Sequence, residues 1–411
     1  MKTTYFFILS FLCSFYSDAA DQVKIIISNP LTTSRLEVVE IPFQEIVKRL
    51  GGRESFMITD ANGNEVQQQR TYDGKFLFQA GVGDKGRSVY YAKIGVCCVK
   101  EDRVYGRLFT ERQDEIGWEN DRVAYRIYGH GAAVGYDVFN KSTSDLMLNH
   151  WYASEQNQEM RSVCQQLREK GLGDLAEQVY LAYSYHVDHG KGMDCYTVGP
   201  TLGGGANALV QEDGSLFMPQ CYESFEILDE GPLRFTIRLT YPAQTYQGER
   251  VVETRTISLD AGSHFNRVTV SYQGLGATSH MAAGVVVHKN NPAAYVLSPD
   301  HGYLGYEDLG DASVYPERYR EGLSRQMGKI YVGLLFPSNE IEMVFQEREN
   351  GMAIGHLLAK SSVRPSSALT YYFGSGWNKS PLTSFHSLAD WEAFLSRSVR
   401  RVRNPLKVQL K

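Results

Sequence analysis

Charged and aromatic residues are concentrated between Tyr105 and Tyr128, in the stretch YGRLFTERQDEIGWENDRVAYRIY. It contains Arg112 and Arg122, and the guanidinium group is suited to binding a planar carboxylate through two parallel hydrogen bonds. Trp118 offers a flat apolar face for the C–H surface of a sugar ring, and Trp377 could place a second ring at the rim of a cleft. These residue types predict a binding site for an acidic sugar.

A structural explanation of the same stretch stays open. Apolar residues alternate from Val123 to Ile127, as in a strand, so Arg122 and Arg126 would share the opposite face. Charges on such a face can form an ion-pair network across a sheet instead of a binding site.

A second segment rich in functional groups, YSYHVDHGKGMDCYTVGPTLGGG, begins at Tyr183. His186 and His189 can take or give a proton near neutral pH, and a neighbouring carboxylate would fix their tautomer. Tyr196 could transfer a proton if its hydroxyl were buried near a cation. We expect His186 and Asp188 to share one face of an extended strand.

The carboxylates of this segment leave two further interpretations open. Asp188 and Asp194, with the two histidines, supply nitrogen and oxygen ligands for a divalent metal ion, although no standard ligand spacing is present. The segment could equally be a loop that is closed by its glycines and hydrogen-bonded to itself. The predicted chemistry requires no cofactor, and a divalent metal is an alternative.

Composition excludes several classes of partner. Lys and Arg number 42 against 47 Asp and Glu, and basic residues cluster only near the C-terminus, which argues against nucleic acid. Residues 1–20 read as a signal peptide, with Lys2, an apolar run and small residues before a cleavage point. The run is too short for a membrane anchor. We therefore expect a periplasmic or secreted protein, and the sequence does not indicate its oligomeric state.

Strand patterns dominate the rest of the chain. Two alternating strands meet at Asp260–Ser263, as in a long antiparallel hairpin that extends from Glu253 to Tyr272. Such hairpins are typical of a large antiparallel β-sandwich, the galactose-mutarotase-like supersandwich among them. Helix patterns are few and cover Phe43–Leu50, Ser154–Lys170 and Leu388–Ser396. Without a linker or repeat, residues 21–411 are predicted to form a single mainly β domain with a few short helices.

Taken together, these segments resemble the family called domain of unknown function 4861, over nearly the whole mature chain. The resemblance rests on Tyr105-Gly106-Arg107, Glu111-Arg112, Trp118-Glu119-Asn120-Asp121-Arg122, Arg126, Tyr185-His186, Asp188-His189-Gly190, Asp194, Tyr196 and Gly231-Pro232-Leu233-Arg234. Thr110 departs from the usual proline, and Glu115 stands where a second Asp is common.

Members of that family tend to be encoded in polysaccharide-utilisation loci, and a similar protein from an ulvan pathway is an oligosaccharide dehydratase. The resemblance implies an enzyme that forms an unsaturated uronic acid at the non-reducing end of an acidic oligosaccharide. It implies that Arg112 or Arg122 neutralises the carboxylate. His186 or His189 would take the C5 proton, and Tyr196 would protonate the leaving hydroxyl.

Two other functions remain open from the sequence. A glycoside hydrolase needs two carboxylates across the scissile bond, for which Glu119 and Asp194 are candidates. A non-catalytic glycan-binding protein would use the aromatic residues and not the histidines.

Overall fold

The computed structural model describes residues 21–132, 135–320, 323–338 and 340–411. The predicted signal peptide, 1–20, lies outside the described residues. Strands account for 45% of the chain and helices for 15%, which confirms the mainly β class.

The strands, in chain order, are β1 Gln22–Ser28, β2 Arg35–Pro42, β3 Phe56–Asp60, β4 Glu65–Val66, β5 Gln68–Arg70, β6 Lys75–Val82, β7 Arg87–Ile94, β8 Val104–Phe109, β9 Glu115–Asn120, β10 Ala124–Ile127, β11 Asp137–Lys141, β12 Gly192–Asp194, β13 Asn207–Val210, β14 Leu216–Phe217, β15 Ser224–Glu230, β16 Arg234–Thr240, β17 Gln244–Tyr246, β18 Glu249–Asp260, β19 Phe265–Gln273, β20 Ser279–His288, β21 Tyr295–Ser298, β22 Tyr303–Leu309, β23 Lys329–Leu335, β24 Glu342–Asn350, β25 Ala353–Val363, β26 Ala368–Trp377 and β27 Lys407–Leu410. The helices are α1 Phe43–Arg49, α2 Leu148–Glu155, α3 Gln158–Glu169, α4 Gly173–Tyr183, α5 Glu317–Arg320, α6 Leu323–Gln326 and α7 Leu388–Arg403.

The main core lies between a nine-stranded sheet, ordered β15-β16-β18-β19-β26-β23-β22-β21 with β17 beside β18, and a five-stranded sheet, β14-β13-β20-β25-β24. Strands β18 and β19 form the predicted hairpin, in which Glu253 lies opposite Tyr272. The named strands of both sheets pair antiparallel, so the predicted antiparallel β-sandwich is confirmed.

Two smaller sheets near the N-terminus, β27-β1-β7-β3-β4 and β2-β6-β5, enclose a separate hydrophobic cluster with α1. Because β27 pairs with β1, the last strand of the chain joins the first. The single domain expected over 21–411 stays a prediction.

A fifth sheet, β12-β11-β10-β9-β8, carries most of the residues predicted to be functional, and we call it the site sheet. Its inner face supplies Ile116, Tyr125 and Val138 to the main core. On its outer face, Phe109 and Phe139 pack against α2. One face of the site sheet is therefore anchored in the sandwich, while the other meets a helix and the loops around it.

The helices differ from the sequence prediction in extent. The predicted helix 154–170 is confirmed as α3, but α2 precedes it and α4 follows it, so three short helices lie between β11 and β12. The predicted helix 388–396 is α7, which continues to Arg403 and carries the basic residues near the C-terminus, Arg397, Arg400, Arg401 and Arg403. This helix buries Trp391 and Leu395 against the outer face of the nine-stranded sheet.

Within the described part of the chain, no helix combines the length and the apolar character needed to cross a membrane.

Candidate active site

Alternation along the strands brings four charged residues together on the outer face of the site sheet. Cross-strand partners share a face, and Arg126 of β10 pairs with Gly117 of β9 and Asp137 of β11. Glu115 therefore lies on the same face as Arg126, two residues from Gly117. Asp194 of β12 pairs with Phe139, two residues from Asp137. Ordinary strand geometry thus gathers one cation and three carboxylates from four strands.

Arg126 is the centre of this group, and we call Arg126, Glu115, Asp137 and Asp194 the Arg126 cluster. The Arg126 side chain is 3% exposed. Its Nε donates to Asp137 Oδ2 at 2.7 Å, its Nη2 to Asp194 Oδ2 at 2.8 Å, and its Nη1 to Glu115 Oε2 at 3.4 Å. The ion-pair network that the alternation left open is therefore present around Arg126.

Three tyrosine hydroxyls complete the hydrogen bonding of the Arg126 cluster. Tyr185 accepts from Arg126 Nη1 at 3.0 Å, and Tyr152 of α2 donates to Glu115 Oε2 at 2.7 Å. Tyr128 accepts from Arg126 Nη2 and donates to Asp137 Oδ2, both at 2.6 Å. Buried charges need such partners, because an unpaired charge inside a protein is strongly unfavourable.

Asp194 is the carboxylate of the cluster that can hold a proton near neutral pH. Burial raises its pKa to about 6, and the neighbouring Asp137 also raises it, while Arg126 and His186 lower it. Two carboxylates that share one arginine cannot both ionise as easily as an isolated acid.

Arg112 and His186 lie at the solvent edge of the Arg126 cluster, and the side chain of each is 26% exposed. The Arg112 guanidinium lies 5.2 Å from the centre of the Tyr185 ring, and the His186 ring lies 4.5 Å from it. Arg112 Nε is 3.3 Å from Glu115 Oε1, while its Nη1 is buried without a hydrogen-bond partner among the described residues. The structure thus brings together one predicted carboxylate-binding residue and one predicted base.

The hydrogen bonds of His186 determine which ring nitrogen is free. Its Nδ1 lies 2.9 Å from the carbonyl oxygen of Asp194, which can only accept, so Nδ1 carries the proton. In the neutral ring, Nε2 then has the unprotonated lone pair that a general base requires.

His189 and Asp188 lie in an exposed turn after α4, so the prediction that His186 and Asp188 share a strand face is wrong. His189 Nε2 bonds to the carbonyl of Ser184 at 3.1 Å. Asp188 Oδ1 accepts from the backbone N–H groups of Gly190 and Gly192. This self-bonded loop matches the structural alternative for the segment.

Asp188 is occupied by the turn and Asp194 by Arg126, so the two carboxylates do not face a common point. Within the described ranges, no three His, Cys, Asp or Glu side chains converge as metal ligands would. A divalent metal at Asp188 and Asp194 stays a hypothesis.

Tyr196 lies in the main core rather than at the surface. It is 5% exposed, and its hydroxyl has no hydrogen-bond partner in the described part of the chain. Burial raises its pKa well above the ordinary value, and Asp308 adds to the shift. Its ring lies 6.0 Å from that of His288, whose Nδ1 is 2.7 Å from Asp308 Oδ2. In this arrangement, Tyr196 does not reach the edge where Arg112 and His186 lie.

Glu119 has a structural environment on the same face of the site sheet. It is fully buried, its Oε2 accepts from Lys141 Nζ at 2.6 Å, and its Oε1 accepts from the backbone N–H of Leu148 at 2.7 Å. Both carboxylate oxygens are thus engaged, and Glu119 and Asp194 do not face each other across an open cleft.

The remaining predicted binding residues lie away from Arg112. Trp118 and Trp377 are buried, and their Nε1 groups donate to Asn266 Oδ1 at 2.8 Å and to the Met327 carbonyl at 3.0 Å. Neither ring presents a face to a sugar. Arg122 is bonded to the carbonyl of Leu382 at 3.3 Å, at the other end of the site sheet.

The sequence patterns did not indicate Asp137, Tyr128 or Tyr152 as site residues. Asp137 begins β11, a strand that the sequence patterns did not predict, and Tyr152 lies on an unpredicted helix, α2. The one available signal was the strand alternation that includes Arg126. An arginine buried on a strand face needs carboxylate partners, which must then come from elsewhere in the chain.

Comparison with known proteins identifies the family. A family model described as "Domain of unknown function (DUF4861)" matches residues 27–408. The chain belongs to this family. A curated relative, "Uncharacterized protein P7" of Formosa agariphila, is 24% identical over 418 residues, which cover 94% of this chain and 93% of the relative.

Two solved structures align with most of this chain, both at TM-scores below 0.5. An alpha-mannosidase from Enterococcus faecalis V583 aligns with 95% of this chain at a TM-score of 0.48 and 8% identity. A glycosyl hydrolase family 38 protein from Enterococcus faecalis aligns with 95% at a TM-score of 0.45 and 8% identity. The chain spans about half the length of these proteins, 46% and 47%.

Proposed function

We propose that this protein is a carbohydrate-active enzyme, a carbon–oxygen lyase that removes water from the non-reducing-end uronic acid of an oligosaccharide. The observation that carries the proposal is the placement of Arg112 and His186 around Tyr185, above the buried Arg126 cluster. The family resemblance noted above implies the same reaction.

In the proposed reaction, Arg112 binds the substrate carboxylate. This bond stabilises the negative charge that develops when the neighbouring C5 proton is removed. The Nε2 lone pair of His186 takes that proton. The C5–H electron pair forms the C4=C5 double bond, and the C4–O bond breaks. His186 then returns its proton to the departing hydroxide, so one water leaves and the base is regenerated.

The Arg126 cluster would act by positioning. Asp194 holds the His186 Nδ1–H through its carbonyl oxygen, and Arg126 fixes the Asp194 carboxylate. His189 lies three residues further along the same loop and remains a second candidate for the proton transfer. Tyr196 and Glu119 have no role in this scheme, because both are enclosed.

The first test incubates the purified protein with saturated uronate-terminated oligosaccharides. A dehydratase produces an ultraviolet absorbance from the conjugated double bond, and mass spectrometry shows the loss of one water without a new reducing end. New reducing ends without that absorbance would indicate a hydrolase and overturn the proposal. Binding without any product would indicate a glycan-binding protein.

The second test assigns the residues. We expect His186→Gln to lower turnover by about 100- to 10,000-fold, as for other lost general bases. We expect Arg112→Lys mainly to raise KM, because the charge stays but the fork is lost. Arg238→Lys and His301→Gln are matched controls at exposed positions of other strands and turns. Equal activity of His186→Gln and His301→Gln would contradict the assignment.

A further inference from the structure

A polar cavity lies away from Arg112 and His186, between β2, the turn that joins β18 to β19, and the outer helix α7. Its volume is about 490 Å³, within the range of small-molecule binding sites. The lining residues used below are Glu40, His264, Arg267, Tyr372, Phe394 and Arg401. We call this space the outer cavity.

Two of the four arginines that line the outer cavity are fully engaged. Arg35 donates to both oxygens of Glu37, at 2.9 and 2.6 Å. Arg234 donates to both oxygens of Asp260, at 2.5 and 2.8 Å, and also to Glu40. These guanidinium groups hold the wall of the cavity together and have little capacity left for a ligand.

The other two arginines have capacity left. Arg267 donates Nη1 to Glu40 Oε1 at 3.2 Å. Arg401 donates Nη2 to the carbonyl of Ser34 at 3.2 Å, while its Nε is buried without a hydrogen-bond partner in the described part of the chain. The nearest carboxylate oxygen to that Nε, on Glu37, lies 3.7 Å away. A buried N–H donor without an acceptor is unfavourable until an anion or another acceptor reaches it.

Aromatic rings and acceptors complete the wall. Tyr372 and Phe394 are half-buried in the cavity wall, and Phe394 is held by stacking on Phe265 at 5.7 Å. Such rings offer apolar faces to the C–H surface of a sugar. The pKa of Glu40 lies at about 2, because Arg234 and Arg267 outweigh the opposing effect of burial. Glu40 is therefore ionised at neutral pH and can accept from sugar hydroxyls.

We propose that the outer cavity is a second binding site for an acidic sugar, in which Arg401 and Arg267 bind the carboxylate and Tyr372 and Phe394 contact the ring. A neutral sugar would bring no carboxylate to the Arg401 Nε–H, which lacks a hydrogen-bond partner among the described residues. A simple inorganic anion would leave the aromatic rings uncovered. The proposal goes beyond the proposed reaction, because binding here does not require that the protein be a lyase.

The test measures binding of sodium D-glucuronate, with D-glucose as the neutral comparison, by titration calorimetry or ligand-observed NMR. The full-length mature protein carries Arg112→Gln throughout, so that the candidate active site does not contribute. We expect glucuronate to bind more tightly than glucose. Arg401→Gln should weaken glucuronate binding about tenfold or more, since a hydrogen bond to a charged group is lost.

Arg400→Gln is the matched control, because Arg400 is exposed on the same helix and does not line the cavity. It removes the same charge and should leave the affinity unchanged. If Arg401→Gln does not fold, Arg267→Gln gives the same comparison. Equal affinities for glucuronate and glucose, or equal effects of Arg400→Gln and Arg401→Gln, would overturn the proposal. The dehydratase assay is unaffected by either result, so the two proposals fail separately.

Discussion

Arg126 is enclosed by Glu115, Asp137 and Asp194, and this arrangement relates the buried charge of Arg126 to the raised pKa of Asp194. The Arg126 guanidinium is 3% exposed, and the surrounding carboxylates offset the cost of burying its charge. Burial raises the pKa of Asp194 to about 6, and the neighbouring Asp137 adds to this rise, against the lowering effect of Arg126. The sequence indicated Arg126 through strand alternation, but it could not indicate the partners, because they come from strands distant in the chain.

Tyr196 permits a prediction at the scale of one atom. Its hydroxyl is buried and unpaired, so Tyr196→Phe should leave the free energy of unfolding unchanged or raise it by about 1 kcal/mol. Tyr152→Phe is the matched change, because the Tyr152 hydroxyl donates to the buried Glu115 and its loss should destabilise by about 1–3 kcal/mol.

Urea unfolding of both variants measures the difference, and the uronate assay is run beside it. A large loss of turnover in a fully stable Tyr196→Phe protein would restore the proton-donor role that the family resemblance implies. Equal destabilisation of both variants would contradict the unpaired state of the Tyr196 hydroxyl.

At the scale of the elements, Glu119 connects the site sheet to α2. The helix begins at Leu148, whose backbone N–H donates to Glu119 Oε1, and a carboxylate is favoured at a helix N-terminus. Lys141 neutralises the same carboxylate and also donates to the backbone carbonyls of Asn120 and Asp145. Because Tyr152 of α2 contacts Glu115, this connection also supports the Arg126 cluster.

We therefore expect Glu119→Gln to act on stability. Replacing the carboxylate leaves the Lys141 ammonium buried without its counter-charge, at a cost of about 3–5 kcal/mol. The double variant Glu119→Gln/Lys141→Met should recover part of that loss, because it removes the unpaired charge. Denaturant unfolding measures both. A Glu119→Gln protein of normal stability that lacks activity would instead support the carboxylate-pair hydrolase.

The elements themselves were predictable where their signals are local. The β18–β19 hairpin has alternating residues on both strands and an Asp-Ala-Gly-Ser turn, and the observed pairing of Glu253 with Tyr272 follows from them. The helices α2 and α4 were missed because their apolar residues are not concentrated on one helical face, so their sequences carry weak helical periodicity. Trp118 and Trp377 were expected at a cleft, but a side chain's type does not determine which face of a strand is buried.

At the scale of the whole molecule, the sheets separate two polar regions. The Arg126 cluster lies on the outer face of the site sheet, and the outer cavity lies beside α7 on the outer face of the nine-stranded sheet. The first charged segment contributes to the cluster through Arg112 and Arg126. Near the other end of this segment, Asp121 Oδ1 accepts from the backbone N–H of Gly262 at 2.6 Å, and Gly262 lines the outer cavity. The segment Tyr105–Tyr128, which the sequence predicted to form one site, thus extends from the Arg126 cluster to the outer cavity.

Three titratable groups whose pKa is shifted by burial, His264, His356 and Asp194, determine how the stability of the protein should respond to pH. Burial lowers the pKa of both His264 and His356 to about 4, so the unfolded chain binds more protons than the folded chain between about pH 4 and 6.5, and stability should rise with pH there. Asp194 acts in the opposite direction, because its pKa of about 6 in the folded protein makes the folded state the better proton binder above pH 4. The two histidines and Asp194 have pKa shifts of similar size and the histidines outnumber it. We therefore expect the free energy of unfolding to rise by about 3 kcal/mol between about pH 4 and 6.5.

Urea unfolding between pH 4 and 6.5 at constant ionic strength measures this rise, and two variants separate its parts. His356→Gln should flatten the dependence of stability on pH. In the native protein the Leu202 N–H donates to His356 Nε2, and the glutamine amide oxygen can accept the same hydrogen bond. Asp194→Asn should steepen the profile, because the opposing group is removed. A native protein that loses stability as the pH rises through this window would show that Asp194 outweighs the two histidines.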